Sequence, residues 1–285
     1  MIPDSEARLN ILVAYPYATA TILAELTRYA ADVRWVLDCG AFTAWKSGKT
    51  IALDDYCRFI ERLPVRPWRY FALDVVGDPE ASMRNYEAMR ARGFDPMPVF
   101  TRGEALAALD TYYETSEVVG VGGLVGTPGN KGFVNGLMRH VAGRRVHLLG
   151  FANDDYVRTY RPYMCDSSTW ISPLRFGLIK LYQDGRPISV KKADFAKRPS
   201  AEVLALIREF GIDPRELGRA AQWVNNGRGE SALELLTFRT TVRHQLETRR
   251  MLGTHLFMAV TTFEQIAPAH AALLFWRDRR PDLFA

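Results

Sequence analysis

The chain has 285 residues, 48% of them hydrophobic and 24% charged, the composition of an ordinary globular protein with a sizeable core. A net charge of +5 and a sequence pI near 9.1 are compatible with a polyanionic partner but do not require one. No apolar run approaches the roughly 18–20 residues of a membrane helix, and no charged-then-apolar leader opens the chain, so a cytoplasmic protein with no membrane association is expected. Cys39, Cys57 and Cys165 are odd in number, widely spaced and without a C-x-x-C pair. They read as reduced core thiols, with no disulfide framework, structural zinc or other metal site.

Short apolar runs alternate with amphipathic stretches through the first two-thirds of the chain. Strands are predicted at 10–14, 33–38, 69–74, 97–101, 118–122, 146–151, 163–166 and 177–182. Helices are predicted between them at 21–30, 54–63, 79–92, 104–113, 133–141 and 154–160. Asp78-Pro79 supplies an N-cap and a first-turn proline for one of these, and Gly93 its stop. Strand–helix alternation means βαβ units and a parallel sheet, and eight units mean an α/β fold of the (β/α)8 TIM-barrel type. From Ser200 the pattern turns helical, at 201–210, 213–223, 231–250 and in a last segment through Trp276. The chain therefore divides into a barrel over 1–198 and a helical appendage over 199–285, packed as one unit without a zinc subdomain.

In a parallel barrel the site is built at the C-terminal ends of the strands. Asp38, Asp74 and Asp166 end the second, third and seventh predicted strands, and Gly122-Gly123-Leu124 follows the fifth. One such aspartate is most often a helix cap. Three on one rim can combine a nucleophile, a proton carrier and a ligand anchor. Gly122 and Gly123 lack Cβ atoms, so a ligand can approach their backbone closely. Phe42, four residues past Asp38, can stack on a planar ligand.

Asp38-Cys39-Gly40-Ala41-Phe42, Asp74, Gly122-Gly123-Leu124, His147-Leu148-Leu149-Gly150, Cys165-Asp166 and the run from Asp184 to Phe195 occur in the order and rough spacing of the tRNA-guanine transglycosylases. The chain resembles that superfamily over about residues 35–198. Through Leu73-Asp74-Val75-Val76-Gly77-Asp78-Pro79 and Asp166-Ser167-Ser168-Thr169-Trp170 it looks closest to the deazapurine-in-DNA (DpdA-type) DNA-guanine transglycosylases of bacteriophages and bacterial DNA-modification islands. In a phage-encoded protein the compartment would be the host cytoplasm.

The resemblance implies a pentosyltransferase that replaces guanine in DNA with a 7-deazaguanine, such as 7-cyano-7-deazaguanine, without a cofactor. It implies Asp166 as the nucleophile at C1′ and Asp38 as the general acid/base that takes a proton from the incoming base. Asp74 would bind the N1–H and exocyclic amine, Gly122, Gly123 and Leu124 the far edge of the purine, and Phe42 its face, with Cys39 and Leu149 in the same pocket. An in-stack base exposes neither C1′ nor its pairing edge, so the target nucleotide must be flipped.

The sequence also departs from the family. Cys39 stands where the family's serine is expected, Ala41 replaces a glycine, and Phe100, Thr101 and Arg102 occupy the stretch of an expected glutamine. No cysteine follows Cys165, so the family's C-terminal zinc site is missing, which favours DNA over tRNA as the polymer.

Arg175, Lys180, Arg186, Lys191, Lys192, Lys197 and Arg198 make the segment after Asp166 basic and suited to phosphate contact, with Trp170 as a wedge beside the flipped nucleotide. Arg239, Arg243 and Arg250 on one helix, and Arg277, Arg279 and Arg280 near the C-terminus, form further basic runs that are more often solvated faces. Three alternatives stay open: the same chemistry on tRNA, a non-catalytic nucleic-acid-binding barrel, and a carbohydrate-active barrel. Members of the tRNA family pair as dimers, which leaves an oligomer open.

Overall fold

The structure, a computed structural model, describes residues 6–125, 130–197, 199–225 and 229–285. The first six units follow the expected alternation. β1 (Leu9–Ala14) leads to a 3-10 turn (Tyr15–Tyr17) and α1 (Ala20–Arg28), and β2 (Val33–Asp38) to α2 (Ala41–Lys46) and α3 (Leu53–Glu61). β3 (Arg69–Tyr70) precedes α4 (Pro79–Ala91), β4 (Val99–Thr101) precedes α5 (Ala108–Tyr113), β5 (Val118–Gly122) precedes α6 (Asn130–Val141), and β6 (Arg145–Leu148) precedes α7 (Asp154–Tyr160). After β7 (Met164–Ser167) the chain makes a long excursion. It runs through α8 (Ser172–Phe176), β8 (Leu178–Gln183), β9 (Arg186–Lys191), α9 (Lys192–Lys197), α10 (Ala201–Glu209) and α11 (Ala232–Leu252). β10 (His255–Val260) and α12 (Ile266–Arg279) follow.

The helix ends carry the expected chemistry. Asp78 accepts a hydrogen bond from the Ala81 N–H at 2.9 Å, just ahead of Pro79. Ser231 and Glu234 form a reciprocal capping box at the start of α11.

Eight strands form one parallel, curled sheet in the order β3-β2-β1-β10-β7-β6-β5-β4. Its two ends meet at one parallel bridge between Phe71 and Met97, where the Met97 N–H donates to Tyr70 O and the Ala72 N–H to Met97 O, both at 2.8 Å. This α/β architecture with C-terminal helices is consistent with a TIM-like barrel.

The segment expected as the eighth strand is corrected. Residues 178–183 do form a strand, but it pairs antiparallel with β9 in a separate hairpin. The eighth strand of the sheet is β10, between β7 and β1. Residues 199–285 are thus not an all-helical appendage. A boundary at 198/199 would part β10 from both of its neighbours, and α12 packs back on β1 and α1. The helix expected at 213–223 is broken into two 3-10 turns, Glu216–Gly218 and Ala220–Trp223, by extended backbone at Arg219.

The two faces of the sheet sort by alternation. Leu12, Val36, Phe71, Met97, Val99, Val118, Met164 and Phe257 form one buried cluster on its concave side. Ile11, Val13, Trp35, Leu37 and Met258 pack outward in the large core they share with the helices.

Candidate active site

Because alternate residues share a face, the inner cluster fixes what stands above it. Asp38 lies two residues beyond Val36, and Asp166 two beyond Met164, so both carboxylates rise from the concave face at the C-terminal ends of β2 and β7. Gly120 and Gly122 are aligned in the same way on β5. A Cβ on Gly120 would sit 2.6 Å from Phe71 Cε1, so only glycine fits beneath that ring.

Asp38 is half-buried, and its carboxyl is pushed up to about 7, first by burial and then by the charges of Asp74 and Asp166. The backbone N–H groups of Gly40 and Cys39 partly offset this. Gly40 has φ +79° and opens α2, and a Cβ there would lie 2.2 Å from Pro16 Cδ. The turn that carries one donor to Asp38 is therefore open only to glycine.

Asp74 stands past the short β3, in irregular backbone fastened from α4 and α3. Ser82 Oγ accepts from the Val75 N–H at 2.8 Å, Asn85 donates to Leu73 O at 3.0 Å, and the Tyr56 hydroxyl donates to Phe71 O at 2.9 Å. The buried Cys39 thiol donates to Asp74 Oδ1 at 2.7 Å. Burial raises the Asp74 carboxyl and the thiol lowers it, while burial and the nearby Asp74 hold the thiol itself well above its ordinary range. Cys39 thus supplies a donor to Asp74. A cavity of about 240 Å³ opens beside this carboxylate, lined by Ala41, Trp45, Ile51, Val75 and Asn85 among others.

Asp166 is buried, and both of its observed hydrogen bonds fall on one oxygen. His147 Nε2 lies 2.9 Å from Oδ1, and the Gly150 N–H donates to the same atom at 2.9 Å. Since Oδ1 accepts, the imidazole proton sits on Nε2. His147 is fully buried, edge-on to Phe71 with ring centroids 5.0 Å apart, and its Nδ1 has no partner among the described residues. Asp166 is held from one side, with no hydrogen bond observed on Oδ2.

The structure brings Asp74 and Asp166 each into electrostatic range of Asp38 and sets the other expected residues around them or apart from them. Gly123 turns the chain with φ +73° directly after Gly122. Leu124 buries its side chain in the outer core, so only its backbone is available to a ligand. Leu149 packs on the inner cluster. Phe42 is 41% exposed and stacks on Trp45 on the surface of α2, with centroids 6.0 Å apart.

Trp170 is buried, its indole N–H donating to Ala259 O at 2.8 Å and its ring against Phe238, so it serves as packing rather than as an exposed wedge. Arg175, Lys191 and Lys192 are exposed, and Lys180 is half-buried over the Tyr182 ring. Arg198 lies outside the described residues. The later basic runs are largely tied down within the protein. Arg243 pairs with Glu209 and Glu247 at 2.7 and 2.6 Å, Arg239 donates to Phe210 O, Arg277 pairs with Asp32, and Arg250 and Arg280 pair with Asp282.

Two residues were missed as site members from the sequence. His147 had a signal: a histidine two residues before the inward-facing Leu149. Thr101 ends β4 opposite Gly122, and its buried Oγ1 has no partner among the described residues. It supplies a hydroxyl at the end of β4. No protein-family model matches the chain, and no curated protein matches it significantly.

Proposed function

We propose that this chain is a base-exchanging nucleic-acid transglycosylase on a closed (β/α)8 barrel, replacing guanine with a 7-deazaguanine in DNA ahead of tRNA. The observation that carries this reading is the difference between its two central carboxylates. Asp166 is oriented by two donors on one oxygen, whereas Asp38 is raised to about 7, where it gives and takes protons at neutral pH.

The chemistry then closes. Asp166 Oδ2 attacks C1′ as the bond to guanine N9 breaks, forming a sugar–Asp166 ester, while protonated Asp38 delivers a proton to the departing base. The incoming 7-deazaguanine loses its N9 proton to the Asp38 carboxylate and attacks C1′, which releases Asp166. Asp38 returns to its starting state, and inversion at C1′ occurs twice, as in retaining glycosidases. His147 and the Gly150 N–H stabilise the ester's Oδ1 and keep Oδ2 aimed. Asp74, held by Cys39, accepts from the N1–H and exocyclic amine of the base. Thr101 offers its hydroxyl to another polar edge.

The test is incubation of the protein with labelled 7-cyano-7-deazaguanine and, separately, single-stranded DNA, duplex DNA and tRNA, followed by digestion to nucleosides. Label is expected in a deoxynucleoside. Label in tRNA alone would move the assignment to RNA, and label in no polymer would remove the transglycosylase reading.

A further inference from the structure

Exposed apolar rings that are grouped mark an interaction surface, whereas single ones do not, and on this chain the exposed rings follow neighbouring strand ends on one side of the sheet. Five rings are more than a third exposed: Tyr17, Phe42, Trp45, Phe176 and Phe263, with Trp45 at 58% and Phe176 at 74%. All five follow C-terminal strand ends. Tyr17 comes after β1, Phe42 and Trp45 after β2, Phe176 at the end of α8 after β7, and Phe263 after β10. These four strands are contiguous in the sheet, in the order β2-β1-β10-β7. Asp38 stands at one end of this arc and Asp166 at the other. The other exposed large hydrophobics among the described residues, Val125, Val224, Met251 and Leu274, are aliphatic.

The arc also carries positive charge. Lys46 Nζ lies 4.9 Å over the Phe42 ring, and Lys49 and Arg175 are exposed beside the aromatic residues. Between β7, β10 and α11 lies a cavity of about 50 Å³ lined by Ser167, Thr169, Lys180, Thr240, His244 and Met258 among others. Thr240 is 3% exposed, and its Oγ1 has no partner among the described residues. A small cavity with an ammonium and the hydroxyls of Ser167, Thr169 and Thr240, the last without a partner among the described residues, suits one phosphate group.

We propose that the β2-β1-β10-β7 arc binds an unpaired, single-stranded stretch of nucleic acid. Bases flanking the target stack on Trp45, Tyr17, Phe263 and Phe176, and one backbone phosphate enters the Lys180–Thr240 cavity. The faces of duplex bases are already stacked on one another, so a nucleic acid can cover exposed rings only with bases free of a neighbouring stack. Asp74 follows β3, which adjoins β2 at one end of the arc where Trp45 lines the same cavity, and Gly122 and Gly123 follow β5 beyond it, so the flipped base lies off that end while its strand runs along the arc. Which base is exchanged rests on the transglycosylase reading; the binding of the strand does not.

The test is equilibrium anisotropy of a short labelled oligonucleotide, single-stranded or annealed to its complement, titrated with Asp166→Asn protein so that no turnover intervenes. The single strand is expected to bind more tightly than the duplex. Trp45→Ala and Phe263→Ala should each weaken it by roughly 5- to 100-fold, with Leu274→Ala unchanged. All three substitutions are at exposed positions and leave the core intact. Duplex bound as tightly as single strand, or ring variants that bind like the parent, would overturn the proposal. So would ring variants whose only change is the loss of a dimer in sedimentation. Ring-dependent strand binding without exchange on any polymer would leave the arc standing and remove the transglycosylase reading. Exchange that survives both ring substitutions with an unchanged KM for the polymer would remove the arc alone.

Discussion

Replacing Asp38 by asparagine should stabilise the protein at alkaline pH while abolishing its chemistry. In the folded protein the Asp38 carboxyl is raised to about 7, against 3.8 for the ordinary group. Between those values the folded state holds a proton that the unfolded chain has released. Stability therefore falls by about 1.4 kcal/mol for each pH unit climbed through this window. The full window amounts to about 4 kcal/mol. Asp38 keeps part of its surface open at the mouth, and screening there brings the effect to about 2–4 kcal/mol. The contribution is fully present below pH 3.8 and lost above about 7. Asparagine has the size of the carboxyl group and no charge to bury, so Asp38→Asn escapes the loss. Urea titrations at pH 5 and pH 8 measure this directly. With a slope of about 3 kcal/mol per molar urea, the variant's midpoint should gain about 1 M on the parent over the climb from low pH to pH 8, most of it between the two titrations. A gap that does not change with pH, or a variant less stable than its parent at pH 8, would refute the reasoning.

Other substitutions address the supports of the site. His147→Ala should lower kcat roughly 100-fold by letting the Asp166 carboxylate turn, with KM for the free base unchanged; a rise in KM alone would assign His147 to base binding. Thr101→Val should raise KM for the incoming base about fivefold, the worth of one neutral hydrogen bond, with kcat unaltered. Gly40→Ala meets both the positive φ and Pro16, so denaturation should show a loss of about 1–3 kcal/mol together with reduced exchange; full activity would mean that the turn does not position Asp38.

The units that were legible in the sequence are those whose local pattern agrees with their place in the fold. Asp78-Pro79, Ser231 with Glu234, and the alternating apolar runs of β1, β2 and β5 state their structure within a few residues. β10 was not legible, because Leu256-Phe257-Met258-Ala259-Val260 is a five-residue apolar run between two helical patterns, where periodicity cannot separate strand from buried helix. Its signal was Gly253, which ends α11 with φ +69°. The strand expected at 177–182 forms, at 178–183, but its place as the eighth strand of the sheet failed for the opposite reason. Its residues favour strand, but their partner is the adjacent run 186–191 across Asp184-Gly185, a local hairpin that periodicity does not distinguish from a barrel strand.

At the site, Asp38 and Asp166 were legible because position at a strand end is a one-dimensional property, whereas Asp74, expected to end its strand, stands four residues past β3. The bonds that differentiate them were not. Cys39 reaches Asp74 across 35 residues of sequence, and His147 reaches Asp166 across 19. Whether an arginine is available for phosphate or fixed in an ion pair depends in the same way on distant partners, as Arg243 shows with Glu209.

The most direct test of the central claim is mass spectrometry of the protein mixed with guanine-containing DNA and quenched in acid before a second base is supplied. A sugar–protein ester is expected on the peptide that contains Asp166, absent from Asp166→Asn and discharged when 7-cyano-7-deazaguanine is added. An adduct on Asp38, or exchange that proceeds undiminished in Asp166→Asn, would contradict the assignment of Asp166 as the nucleophile.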